Sequence, residues 1–121
     1  MKALESYSKA IKIDPNYNHA HNNMGLCYSN LKEYVKALEC YSKAIDIDPE
    51  NALYNVNLGS LLILVGKDNE GEVYIDKAKD LLDKGKTTGL SEVNINYLKS
   101  QIEKYHKMHD SAKGINHKVA E

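Results

Sequence analysis

The chain has 121 residues and a formal net charge of −1, from 16 basic and 17 acidic side chains, which suits one domain or a few stacked repeats and excludes a large multidomain protein. The acidic residues balance the basic ones, so the chain lacks the excess of positive charge that nucleic-acid binding favours. All 16 basic residues are lysines, so the planar guanidinium group of arginine is absent as well. The start lacks a signal peptide and the longest apolar run, residues 61–65, is too short to cross a bilayer; we expect a cytoplasmic protein with no nucleic-acid or membrane partner.

The first predicted element is a helix within residues 1–16. Its segment ALESYSKAIKIDPN, residues 3–16, returns as ALECYSKAIDIDPE at residues 37–50 with eleven of fourteen residues identical and an offset of 34. Such self-similarity is typical of a repeat array, in which each unit packs only on its neighbours. We therefore interpret residues 1–16 as the second helix of a truncated repeat, in which Leu4, Tyr7 and Ile11 miss part of their usual packing.

Residues 18–51 are predicted to form a complete repeat. Apolar residues three and four apart over 18–31 and 34–47, separated by a short turn, predict two antiparallel helices. Gly25 would cost about 1 kcal/mol inside the first helix. We expect a close helix approach to offset that cost, with Gly25 facing Ala37 and Ala44. Pro49 should end the second helix, because the residue before a proline is driven out of the helical conformation.

This unit resembles the tetratricopeptide repeat family. The residues that carry the resemblance are Met24, Gly25, Tyr28, Ala37, Tyr41, Ala44 and Pro49. The resemblance covers about residues 1–84 and departs at His21, where the family often has tryptophan. It implies an all-α fold, a solenoid of antiparallel helix hairpins, and a protein-protein interaction module that acts as an adaptor or scaffold.

The rest of the chain continues and then closes the array. Residues 52–84 are a degenerate repeat that keeps Gly59 and Ala78, residues 85–90 form a loop, residues 91–110 form a capping helix with Ser91 as N-cap, and residues 111–121 are predicted to be disordered. The helix at 52–66 is apolar nearly all round, which favours burial on more than one side. Either the capping helix covers Leu53, Val56 and Leu64, or these residues form a groove for an amphipathic partner helix.

The resemblance also implies where a ligand would bind, because the family presents the first helix of each unit on a concave surface. The predicted peptide-binding residues are His19, Asn22, Asn23, Leu26, Asn30, Leu53, Val56, Asn57, Ser60, Ile63 and Leu64. Asn23 and Asn57 occupy equivalent positions and could hold a peptide backbone, or could bond to neighbouring helices instead. If they hold a peptide, replacing both with alanine should weaken binding and leave thermal stability nearly unchanged.

Other functions are less favoured by the residues present. A clamp for a terminal carboxylate, as in some co-chaperone members of the family, needs basic residues where Leu53 and Asn57 stand. Self-assembly into a homo-oligomer, through the N-terminal helix or the helix at 52–66, is the alternative to peptide binding. We expect no enzymatic activity, cofactor or metal, since His106, His109 and Asp110 fit a solvated helix face, and we expect Cys27 and Cys40 to be reduced thiols.

Overall fold

The computed structural model describes residues 2–87 and 89–120, with side chains described as far as Met108. All regular elements in these residues are helices, which agrees with the predicted all-α class. The helices are α1 (Lys2–Ile13), α2 (Asn18–Asn30), α3 (Tyr34–Ile47), α4 (Ala52–Leu64), α5 (Asp68–Asp83) and α6 (Glu92–Ala120). Consecutive helices pack on each other from α1 to α6, and α6 also contacts α4, so α2–α3 and α4–α5 form two stacked hairpins.

The two hairpins turn in the same way. After α2 and after α4 the backbone enters the left-handed region, with φ of 61° at Lys32 and 89° at Gly66, its equivalent 34 residues on. The N–H of Glu33 then donates to the carbonyl of Tyr28 at 2.9 Å, and an equivalent bond closes the second turn. This pattern satisfies the last carbonyls of the helix and reverses the chain, so that the next helix runs antiparallel.

The boundary between the two hairpins lies where the sequence predicts it. α3 ends at Ile47, and Asp48 before Pro49 has an extended backbone with φ −136°. The side chain of Asn51 then accepts a hydrogen bond from the N–H of Tyr54 at 3.2 Å, which caps α4. The proline and this cap together separate one repeat from the next.

α4 lies between two apolar clusters, which explains why it is apolar nearly all round. The cluster on its α3 side comprises Ala37, Tyr41, Leu58, Leu61 and Leu62. The cluster on its α5 and α6 side comprises Ala52, Val56, Ile75, Ala78, Leu81, Leu98 and Ile102. Eight residues of α4 are buried between them. The interpretation that the capping helix folds back over α4 is therefore confirmed for Val56, which is 2% exposed, and wrong for Leu64, which is 63% exposed.

The atoms nearest to Gly25 belong to the ring of Tyr41 rather than to Ala37 or Ala44. A Cβ atom built on Gly25 would lie 2.5 Å from two ring carbons of Tyr41, so the glycine makes room for an aromatic ring. Contact of small residue with small residue occurs in the second hairpin, where a Cβ on Gly59 would lie 2.8 Å from the carbonyl oxygen of Gly71. Ile75, the equivalent of Tyr41, lies slightly farther away, since its Cγ1 would be 3.0 Å from a Cβ on Gly59.

α6 begins as predicted and ends later. The Ser91 hydroxyl accepts a hydrogen bond from the N–H of Asn94 at 3.1 Å, which confirms Ser91 as the N-cap. The helix continues to Ala120, ten residues beyond the predicted end of the capping helix at residue 110. No proline interrupts this segment, and extending an existing helix is far easier than starting one.

Candidate functional site

A groove lies between α2 and α4, the first helices of the two hairpins, and the capping helix α6. Its cavity measures about 180 Å³. The residues that line it are Ser29, Tyr41, Val56, Asn57, Ser60, Leu61, Leu64, Tyr97 and Gln101. α2 and α4 provide one side and α6 the other, while the buried Tyr41, Val56 and Leu61 form an apolar floor.

Part of the predicted peptide-binding set lies at this groove. Asn57, Ser60 and Leu64 line it, Ser60 is exposed, and Leu64 is 63% exposed on the last turn of α4. Val56 also reaches the cavity, but as part of the floor. The groove therefore combines a polar edge with apolar walls, as ligand sites usually do.

The predicted residues of α2 lie alongside but do not line the cavity. Asn23 is half-buried, Leu26 is 42% exposed and Asn30 is exposed. They occupy the positions equivalent to Asn57, Ser60 and Leu64, so they extend the same accessible strip along α2. The structure thus places an extension of the groove on the preceding repeat.

Asn57 is already hydrogen-bonded within the protein. Its Nδ2 donates to Oδ1 of Asn22 at 2.9 Å, and Asn22 is buried. This bond joins α2 to α4, so Asn57, one of the two asparagines expected to hold a peptide backbone, is bonded to a neighbouring helix. Removing Asn57 would leave a buried amide oxygen without its donor, so we expect the joint replacement of Asn23 and Asn57 with alanine to lower the stability that the sequence alone predicted to stay nearly unchanged.

Three predicted site residues serve the interior instead. Val56 is a member of the α5 and α6 cluster, and Leu53 and Ile63 pack against that cluster as partly buried side chains. Ile63 also faces Gly71, since a Cβ atom built on Gly71 would lie 2.7 Å from Cγ1 of Ile63. These residues belong to the predicted site by repeat position, but α6 and α5 occupy the space in front of them.

His19 belongs to a polar contact at the other end of the array. Its Nδ1 lies 2.9 Å from the hydroxyl of Tyr54, and the ring of Tyr17 stands edge-on to it at 6.1 Å. Burial, with a smaller effect of the Asp48 carboxylate, raises the pKa of Tyr54 to about 12. The Tyr54 hydroxyl is therefore protonated at neutral pH, and its contact with Nδ1 ties His19 to α4.

Sequence reasoning missed the groove residues that come from neighbouring elements. Tyr97 and Gln101 lie on α6, and Tyr97 is 53% exposed. The apolar stripe of α6 predicts Leu98, Ile102 and Tyr105 as its packed face, and Tyr97 lies just beside that stripe. Only the angle at which α6 crosses α4 decides that Tyr97 reaches the cavity.

A second, larger groove lies between α5 and α6 on another side of the molecule. It measures about 420 Å³ and is lined by Lys79, Leu82, Asp83, Lys99, Ile102, Glu103 and His106. His106 lies 3.8 Å from the carboxylate of Asp76. Within the described side chains no group of histidine, cysteine and acidic residues is arranged to hold a metal, and His109 and Asp110 lie outside those side chains.

Burial also changes the pKa of a cysteine and of a second tyrosine. Cys27 and Cys40 are free thiols, as predicted, and burial raises the pKa of Cys40. Burial likewise raises the pKa of Tyr41 to about 12. No described helix combines the length and the apolar character that crossing a lipid bilayer demands.

Comparison with known families bears out the resemblance. A model of the tetratricopeptide repeat matches residues 19–51, and a second TPR repeat model matches residues 2–32. The first match covers α2 and α3, and the second covers α1 and α2. No relative was found among curated proteins.

Solved structures of tetratricopeptide repeat proteins share the fold. Two structures of MamA are 28% and 27% identical, with TM-scores of 0.65 and 0.62, and the alignments cover 68% and 73% of this chain and 48% of each MamA chain. The TPR2B domain of yeast Sti1, solved as a complex with pHsp70, is 20% identical with a TM-score of 0.66, over 84% of this chain and 81% of that domain. The chain thus spans about half the length of the MamA chains it matches. These likenesses confirm the predicted α-solenoid.

Proposed function

This chain is a tetratricopeptide repeat protein, and from that premise we propose that the groove between α2, α4 and α6 binds an extended segment of a partner protein. The observation that carries the proposal is the cavity of about 180 Å³, which has an apolar floor and a polar edge and is lined by α2, α3, α4 and α6. A cavity of this volume suits a side chain of a peptide that runs along the strip.

The edge of the groove offers hydrogen bonds to a peptide backbone. Asn57 donates through Nδ2 to Asn22, which leaves its own Oδ1 as an acceptor towards the groove side. Ser60 contributes a hydroxyl one turn further along α4, and Gln101 an amide from α6. These groups bond to the peptide backbone whatever its side chains are, so they fix the orientation of the peptide. Contact with the apolar floor provides the affinity.

The apolar contribution comes from Leu64 and Tyr97, which face each other across the cavity and are both more than half exposed. Covering a large apolar side chain fully contributes about 1.5–3 kcal/mol. These two side chains are therefore the anchors that a bound peptide would cover. Aromatic residues in particular are frequent binding anchors at interfaces.

Two alternatives find less support. Self-assembly through the helix at 52–66 has little surface to use, because most of α4 is buried. A carboxylate clamp needs basic side chains, and the residues that line the groove include neither lysine nor arginine. Peptide binding on the concave face is the function that the groove supports best.

The experiment compares two variants of matched exposure. Leu64→Glu introduces a charge in the groove, and Val73→Glu introduces the same charge on α5, away from the groove; the native side chains are 63% and 64% exposed. Peptides are selected against the wild type from a phage-displayed library of random twelve-residue sequences. We expect Leu64→Glu to weaken the selected peptides at least tenfold and Val73→Glu to leave them unchanged.

Amide chemical shifts of the labelled protein locate the bound peptide. Changes centred on Asn57, Ser60 and Tyr97 support the proposal. Equal effects of the two glutamate variants, or shifts confined to the outer face of α5, would show that the groove is not the binding site.

A further inference from the structure

Two tyrosine rings from different helices line the groove between α2, α4 and α6. Tyr41 of α3 is 3% exposed and belongs to the floor, whereas Tyr97 of α6 is 53% exposed and stands at the side. Burial raises the pKa of Tyr41 to about 12, and the Tyr97 hydroxyl is close enough to contribute a smaller part of that rise. The ring contacts among the described side chains involve three other tyrosines, Tyr17, Tyr54 and Tyr105. The cavity is therefore bounded by two tyrosine rings that do not contact each other.

The walls of the cavity are uncharged. Its described lining consists of tyrosine, valine and leucine side chains with serine, asparagine and glutamine side chains beside them, and none of these carries a charge. A charged side chain that entered the cavity would lose its water without gaining a partner of opposite charge, which is costly. An uncharged, apolar side chain loses nothing of this kind and covers the buried floor.

The volume of the cavity suits a single aromatic ring. It measures about 180 Å³, and a cavity of roughly 150 Å³ lined by apolar side chains takes up benzene. Aromatic rings also attract one another beyond the effect of the apolar area that they bury. A phenyl ring can therefore fill the space and contact both tyrosine rings, whereas an aliphatic side chain fills it without the aromatic contacts.

We propose that this cavity is a specificity pocket for a phenylalanine side chain of the bound segment. The inference rests on the proposed function, because it names the side chain that the groove takes from its peptide. Tyr97 determines the specificity, since its ring is the accessible one, while Tyr41 is held in the core beneath the ligand. The uncharged lining rejects lysine, arginine, aspartate and glutamate side chains.

Single blocked amino acids test the pocket without a selected peptide. The N-acetyl amides of phenylalanine, cyclohexylalanine and lysine are titrated into the labelled full chain, and the amide shifts of Ser60, Tyr97 and Gln101 give the Kd of each. Cyclohexylalanine is the matched probe, because its side chain is apolar and six-membered like that of phenylalanine but is not aromatic. We expect it to bind at least about fivefold more weakly than phenylalanine, and the lysine probe to leave these shifts unchanged.

Two tyrosine variants of similar exposure test the role of Tyr97. Tyr97→Leu removes the ring from the pocket, and Tyr17→Leu removes a ring outside it; the native side chains are 53% and 44% exposed. We expect Tyr97→Leu to abolish the preference for phenylalanine over cyclohexylalanine, and Tyr17→Leu and the ring-keeping Tyr97→Phe to retain it. Equal Kd values of the two probes on the wild type, or an unchanged preference in Tyr97→Leu, would overturn the proposal.

The same measurements separate failure of the pocket from failure of the proposed function. A selected peptide that shifts Asn57, Ser60 and Tyr97, yet keeps its affinity when its aromatic residues are replaced by leucine, overturns the pocket and leaves peptide binding in place. No selected peptide, with the phenylalanine probe still bound at these residues, counts against the proposed function alone. A phenylalanine probe that shifts none of them up to its solubility limit overturns the pocket, whatever the peptides do.

Discussion

The contact between Gly25 and Tyr41 makes Gly25→Ala an informative substitution. Alanine is a better helix former than glycine by about 1 kcal/mol, so propensity alone predicts a more stable protein. The structure predicts the reverse. The new Cβ would lie 2.5 Å from two ring carbons, and ordinary contacts begin at 3.4 Å, so the ring would have to move by about 0.9 Å.

The ring of Tyr41 has little room to move. Tyr41 is 3% exposed and is packed among Ala37, Leu58, Leu61 and Leu62. Overpacking a close-packed interior costs about 1–3 kcal/mol, and a displacement of this size belongs at the upper end. After the gain in helix propensity, we expect Gly25→Ala to lower the free energy of unfolding by about 2 kcal/mol, or the melting temperature by roughly 8 °C.

Urea denaturation followed by circular dichroism measures this change, and a double-mutant cycle identifies its cause. In a Tyr41→Leu background the ring is absent, so Gly25→Ala should there stabilise the protein by up to about 1 kcal/mol. Ser42→Ala, on the exposed side of α3, is the control and should stabilise by a few tenths of a kcal/mol. A stabilising Gly25→Ala in the wild type, or an equal loss in both backgrounds, would refute the packing argument.

Three other predictions concern stability. Asn57→Ala should cost about 1–3 kcal/mol in urea denaturation, because it leaves Oδ1 of the buried Asn22 without its donor; a loss below 0.3 kcal/mol, within about the error of such measurements, would contradict it. Lys32→Gly should raise stability by about 1 kcal/mol, since φ is 61° there, and Gly66→Lys, the reciprocal change, should lower it by a similar amount; equal melting temperatures would count against this. Burial raises the pKa of Tyr54 from 10 to about 12, so its protonated hydroxyl stabilises the fold fully below pH 10 and progressively less as the pH rises to 12. Tyr54→Phe should therefore lose less stability than the wild type between pH 10 and about 12, the range between the unfolded and the folded pKa of Tyr54, and parallel pH profiles would argue against it.

Local interactions explain why so much of the architecture could be predicted from the sequence. The repeat offset of 34, the helix break before Pro49 and the Ser91 cap each depend on residues close together in the chain, and all three agree with the structure. The same local logic predicted that α4 is buried on more than one side. A residue's repeat position also indicated Asn57, Ser60 and Leu64 as groove residues, because equivalent positions face the same way in each repeat.

The tertiary structure decided which of those equivalent positions remain accessible. Val56 and Leu64 both belong to the predicted site, but α6 crosses α4 so that it covers the first and leaves the second open. No local pattern encodes that crossing angle, which depends on how the side chains of three helices pack together. The partner of Gly25 was decided in the same way, since a glycine in the sequence indicates a close approach without saying whether a backbone or a ring fills the space. The sequence by itself therefore determined the repeats and their helices, while packing between helices that are distant in the chain determined the groove.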